Sequence, residues 1–67
     1  MKSFKLNGQT YLTSSSLTLL DMIMYFNFND SLFVLEHNNT ICNKKNWGKI
    51  YIHNDDKIEI ITIVGGG

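Results

Sequence analysis

A chain of 67 residues suffices for one small domain, and at that length only about 60% of the surface of the unfolded chain is buried on folding. Six Lys and Arg balance six Asp and Glu, so the net charge is zero; this argues against a nucleic-acid binder, which needs a basic excess, and against a polybasic membrane anchor. The single cysteine, Cys42, excludes an internal disulfide framework and a cysteine-cluster zinc site. A hydrophobic content of 43% is too high for a disordered chain, the longest apolar run (residues 22–26) is far short of a membrane span, and no charged-then-apolar signal segment opens the chain. The expectation is a small, soluble, intracellular, globular module. Pro, Ala and Arg are all absent. Their codons are GC-rich, so the bias points to a compact AT-rich genome, such as that of a plastid or of a parasitic or symbiotic bacterium. Without Pro, chain reversals must rest on Gly, Asn, Asp and Ser.

Residues 2–7 alternate, with Phe4 and Leu6 on one side and Ser3 and Lys5 on the other, as in a half-buried strand. Asn7-Gly8 follows and signals a two-residue hairpin turn, since both residues tolerate positive φ. Residues 9–13 alternate again, with Tyr11 facing in beside Phe4 and Leu6. After the polar Ser14, Ser15 and Ser16, Thr18 reads as a helix N-cap with Asp21 at the acidic position of a capping box. Leu17 is placed to staple onto the first turn. Leu19, Met22, Ile23 and Phe26 form one apolar helical stripe, which Asn27 and Asn29 would end.

Residues 32–36 read as a strand with Phe33 and Leu35 inward. Asn38-Asn39 is a second turn signal, and residues 40–42 are a short return strand. Residues 43–48 are polar apart from Trp47, which predicts a turn or brief 3₁₀ segment anchored by the indole. Tyr51 and Ile52 are expected to form a short strand, and Asn54-Asp55-Asp56 a turn. Residues 57–64 carry the longest strand signal. A hairpin, a helix, short strands and a long final strand fit an α+β fold, in which the helix crosses one face of a mixed sheet and the last strand lies centrally beside the first. That is the arrangement of a β-grasp, or ubiquitin-like, domain over residues 1–64, followed by a flexible arm over 65–67.

The ending Val64-Gly65-Gly66-Gly67 is the feature that a core cannot use. Glycine packs nothing and loses the most backbone freedom on ordering. The bland interpretations are a frayed terminus or an expression scar. The functional one is a mobile arm whose distinctive group is the α-carboxylate of Gly67. A carboxylate is a poor electrophile and must first be activated by a nucleotide. The chain has no phosphate-cradling Gly-rich loop between a strand and a helix, so another protein must perform that step.

These residues together resemble the ThiS family, the sulfur carriers of thiamine biosynthesis, over essentially the whole chain. The resemblance is carried by Leu6-Asn7-Gly8, Leu17-Thr18-Leu19, the stretch from Asn38 to Trp47, Asp55-Asp56-Lys57-Ile58-Glu59-Ile60, and Val64-Gly65-Gly66-Gly67. The chain departs from the family pattern at Asn43, where Pro is common, and at His37 and Cys42, where apolar residues are usual. The resemblance implies that a ubiquitin-activating-type (ThiF-like) adenylyltransferase uses ATP to adenylate Gly67, with Gly65 and Gly66 as the flexible arm. Sulfur from a cysteine desulfurase or another persulfide donor then gives a thiocarboxylate, which a ThiG-like thiazole synthase consumes. It implies a protein cosubstrate, not an enzyme, with no bound cofactor or metal and no nucleic-acid or membrane partner. A plastid stroma or a bacterial cytoplasm is the expected place of work. The rival readings are the small subunit of molybdopterin synthase, a protein-conjugating modifier that forms an isopeptide bond through Gly67, and a plain interaction domain.

If Ile58 and Ile60 are core, Ile61 and Ile63 lie on the open sheet face with Glu59 and, with Val64, form a docking patch. The simpler account is that β-branched residues suit strands. Cys42 is expected as a buried small hydrophobe. His37 and His53 are expected to be ordinary histidines without metal-ligand spacing or carboxylate support. Lys44, Lys45 and Lys49 around Trp47 read as a solvated loop. Met22 is expected in the core, with Leu20, Met24 and Tyr25 partly exposed.

Overall fold

A computed structural model describes residues 1–28 and 32–62. Strands β1 (Lys2–Leu6) and β2 (Gln9–Thr13) form the expected antiparallel hairpin. Asn7 and Gly8 adopt φ of +52° and +83°, the pair of positive angles that matches a two-residue turn to the twist of its strands. Alternation carries Phe4 and Leu6 into the core. Tyr11 pairs with Phe4 across the ladder, and their rings stack with centroids 5.9 Å apart.

Helix α1 (Leu19–Tyr25) begins where the sequence places its cap. The N–H of Asp21 donates to Thr18 Oγ1 at 3.0 Å, and the N–H of Thr18 donates to the Asp21 carboxylate at 3.0 Å. This reciprocal pair satisfies two donors that the first turn would otherwise leave without partners. Leu19, Met22 and Ile23 are buried, and Leu17 and Phe26 pack against the same core. Asn27, at φ +60°, turns the chain out of the helix. Asn29, the second expected stop, lies outside the described residues.

Strands β3 (Phe33–His37) and β4 (Thr40–Cys42) are joined by Asn38-Asn39, both at positive φ. A 3₁₀ turn, Lys44–Asn46, follows. Trp47 anchors it: the indole is buried, its Nε1–H donates to the Cys42 carbonyl at 3.0 Å, and its ring stacks on Phe33 at 5.3 Å. Two expectations need correction. Cys42 is half-buried at the margin of the core and not enclosed by it. Tyr51 and Ile52 do not form a strand; Tyr51 makes a single bridge to Thr18. The N–H groups of Leu19 and Ile52 bond to the carbonyls of Ile50 and Leu17, but the chain enters α1 at Thr18, so no ladder can propagate. Ile52 is nevertheless buried.

Strand β5 (Lys57–Thr62) completes a five-stranded sheet of order β2-β1-β5-β3-β4. It runs parallel to β1 and antiparallel to β3, so the last strand is central, as expected. Ile58 and Ile60 point into the core with Leu35, Phe4 and Leu6, under Leu19, Met22 and Ile23 of α1. Burying each aliphatic side chain of this kind contributes about 1.5–3 kcal/mol. The helix therefore covers one face of the sheet. The expected extension of the strand through Ile63 and Val64 lies outside the described residues.

Candidate functional site at the end of the central strand

Ile63, Val64, Gly65, Gly66 and Gly67 lie outside the described residues, so the structure builds the site as far as Thr62. What it shows is how β5 is held. On one side, Lys5 N–H donates to the Asp56 carbonyl and Asn7 N–H to the Ile58 carbonyl, each at 2.9 Å. The next donor, Ile60 N–H, bonds to Asn7 Oδ1 at 2.8 Å. Here β1 has already turned into the hairpin, and the Asn7 side chain stands in for the carbonyl a longer strand would have supplied. Asn7 therefore does two things: it adopts the turn angle and it continues the ladder.

The other side of β5 is held from the β3–β4 turn. Asn38 N–H donates to the Lys57 carbonyl, and Lys57 N–H donates to Asn38 Oδ1, both at 2.8 Å. Beneath this exchange sits Asp56, buried at 7% exposure. Its carboxylate accepts from His37 Nε2 at 2.8 Å, from the His53 backbone N–H at 2.8 Å and from Asn38 Nδ2 at 3.0 Å. Burial pushes the Asp56 carboxyl up, but the bonds from His37, His53 and Asn38 and the His37 charge outweigh it and hold the carboxyl below its ordinary range. The expectation that His37 lacks carboxylate support is thus overturned. The pairing of His37 with Ile58 brings the end of β3 beside the turn that precedes β5, a proximity that no local spacing announces. His53 contributes its backbone to this cluster.

On the face away from α1, β5 presents Lys57, Glu59 and Ile61. Ile61 is 45% exposed and lies opposite Val34 of β3, while Glu59 lies opposite Glu36. The result is a small aliphatic pair bordered by two carboxylates. Like charges placed directly opposite do not help the sheet. The remaining sequence candidates lie elsewhere. Burial raises the pKa of the Cys42 thiol, which disfavours the reactive thiolate. Lys44, Lys45 and Lys49 are exposed around Trp47. Among the described residues no group of three His, Cys, Asp or Glu side chains is placed to hold a metal ion, and no helix is long and apolar enough to cross a membrane.

A five-stranded mixed sheet with the first and last strands parallel at its centre, and one helix across a face, defines a β-grasp domain. The model of the ThiS family matches residues 4–67, and the chain belongs to that family. It is 64% identical over 66 residues to the protein ycf40 of Trieres chinensis, covering 98% of this chain and 90% of that one. It is 38% identical over 65 residues to ycf40 of Porphyra purpurea, covering 97% and 92%. It is 27% identical over 62 residues to a thiazole synthase of Magnetococcus marinus, covering 92% of this chain but 19% of that protein. The crystal structure of the thiamine biosynthesis protein ThiS from Geobacter metallireducens shares the fold, with a TM-score of 0.82 over 97% of this chain and 99% of that one at 16% identity.

Proposed function

We propose that this chain is the sulfur carrier for formation of the thiazole ring of thiamine, with the Gly67 carboxylate as the sulfur acceptor and Gly65 and Gly66 as its flexible arm. The observation that carries the thiazole assignment is the similarity to a segment of a protein named thiazole synthase. A carrier-like segment on the same polypeptide as that enzyme raises the effective concentration of the two parts toward the millimolar range, an advantage only if one serves the other. The family match through residue 67 supports the acceptor. The ycf40 naming of the relatives supports a plastid-encoded gene and work in the plastid stroma.

The chemistry follows from the weakness of a carboxylate as an electrophile. An adenylyltransferase joins the Gly67 carboxylate to the α-phosphate of ATP and releases pyrophosphate. The terminal sulfur of a cysteine-derived persulfide attacks the acyl carbon, and AMP leaves. A second thiol then reduces the resulting acyl disulfide and frees the thiocarboxylate. Thiazole synthase takes the sulfur and returns the carboxylate. The chain is a protein substrate in every step. The carrier holds sulfur as a soft nucleophile on a protein handle, so free sulfide need not circulate. The Val34–Ile61 pair is the described part of the docking patch, to which the sequence adds Ile63 and Val64. Glu36 and Glu59 at its border suit a partner surface that is apolar with a basic rim.

Incubation with the adenylyltransferase, ATP and a sulfur source tests the reading. Intact mass should rise by about 16 Da as one oxygen is replaced by sulfur, and deletion of Gly67 should abolish the gain. An unchanged mass under every pairing refutes it, higher-mass adducts on other proteins indicate a modifier, and sulfur accepted by molybdopterin synthase but not by thiazole synthase indicates the other cofactor pathway. Ile61→Asp should leave the fold intact, because the side chain is on the open face, and slow adenylation; adenylation at the wild-type rate would remove Ile61 from the patch.

A further inference from the structure

Past the Asn7-Gly8 turn, β5 has a backbone edge that the hairpin does not cover. β1 pairs with β5 at Lys5↔Lys57 and Leu6↔Ile58, whereas β3 accompanies β5 as far as Phe33↔Thr62. The hydrogen bonds give the edge its polarity. The Ile58 carbonyl and the Ile60 N–H point toward the hairpin, and the Lys57 carbonyl points toward β3. By the alternation of a strand, the Ile60 carbonyl and the Thr62 N–H also point toward the hairpin side. The hairpin has ended there, and among the described residues neither group has a hydrogen-bond partner. Among the described residues, the Thr62 N–H is therefore not used by the fold.

We propose that this edge accepts an extended segment of the adenylyltransferase by strand addition, with the Ile60 carbonyl and the Thr62 N–H as its first bonds. The proposal rests on Gly67 being the acceptor. An alternating carbonyl and N–H is matched by another extended backbone, the mode in which a strand recognises a sheet edge. The place favours the enzyme that handles the tail. Gly67 is the fifth residue after Thr62, at most about 18 Å away along an extended chain, so an enzyme strand seated at Thr62 lies within reach of the reacting carboxylate. The edge also flanks Ile61, so strand addition and the open-face patch form one continuous surface. A single strand edge buries far less than the roughly 1,200 Å² of a specific, stable interface; an enzyme that also holds the tail and the patch supplies the rest.

The test uses the full chain, which is short enough for total synthesis. An ester replacing the Ile61–Thr62 amide removes the N–H and keeps the side chain. Thr62→Pro removes the same donor genetically, and Thr62→Val retains it. The ester and Thr62→Pro should lower kcat/KM for adenylation by about tenfold, equivalent to roughly 1.4 kcal/mol, while Thr62→Val keeps the wild-type value. The ester should melt like the wild type, and the Thr62 amide should gain hydrogen-exchange protection only when the adenylyltransferase is added. An ester adenylated at the wild-type rate overturns the proposal. So does protection of Thr62 that rises with the concentration of the free carrier, which would assign the edge to a second copy. Absence of any adenylate on the wild-type chain would overturn the acceptor reading, and strand addition with it; a normal adenylate on the ester overturns strand addition alone.

Discussion

Replacing Asn7 separates its two tasks. The residue sits at φ +52° and its Oδ1 is the acceptor for Ile60 N–H at 2.8 Å. Asn7→Gly keeps the turn angle but removes the acceptor. The Ile60 N–H, beside a side chain that is 9% exposed, then loses its partner at a cost of about 1–2 kcal/mol. Asn7→Ala loses the same bond and also forces a Cβ into the left-handed region, which adds about 1–2 kcal/mol. Asn7→Asp retains both an acceptor and tolerance of the angle and should stay close to wild type. For a domain of this size 1 kcal/mol displaces Tm by about 4–8 °C, so the order Asn, Asp, Gly, Ala is resolvable by thermal and urea denaturation followed by circular dichroism. Hydrogen exchange at Ile60 provides the local readout: its protection should fall in the Gly and Ala variants and hold in Asp. A Gly variant as stable as wild type, with Ile60 still protected, would show that the side chain does not continue the ladder.

Asp56 predicts the pH dependence. Its folded pKa is held below the ordinary carboxylate value of 3.8, so the stability it contributes is fully present above that value and is lost as pH falls from there through the folded pKa. Asp56→Asn should therefore be less stable than wild type by about 1.5–3 kcal/mol at pH 7, the range for hydrogen bonds to a charged group, and the gap should close in acid; urea midpoints at a series of pH values measure it, and a gap independent of pH would refute the role of the charge. Thr18→Ala removes the cap of α1 and should cost about 1 kcal/mol, with the loss of helix visible by circular dichroism. Loss of less than a few tenths would mean that the reciprocal bonds with Asp21 add nothing beyond what water provides.

The parts of the fold that were legible in the sequence are those in which the deciding partners are close along the chain. Asn7-Gly8 and Asn38-Asn39 specify turns because their own backbones tolerate positive φ. Thr18 and Asp21 specify the start of α1 because the capping bonds span three residues. Alternation in residues 2–6, 9–13 and 57–60 specifies which side chains are core, since the strand period alone assigns faces. The exposure of Ile61 is of the same kind. Tyr51 and Ile52 marked where local propensity fails: β-prone residues do not become a strand when the neighbouring segment leaves to enter a helix.

Only the tertiary structure decided what meets across the sheet. The bond from Ile60 to Asn7 joins residues 53 apart, and that from His37 to Asp56 residues 19 apart. Both exist because β5 inserts between β1 and β3 in one particular register. Among the described residues that register also leaves the Thr62 N–H without a hydrogen-bond partner, because β1 turns away before β5 ends. A hydrogen bond between distant segments depends on position to within a fraction of an ångström, and chain order carries no such information until the whole sheet has closed around its core.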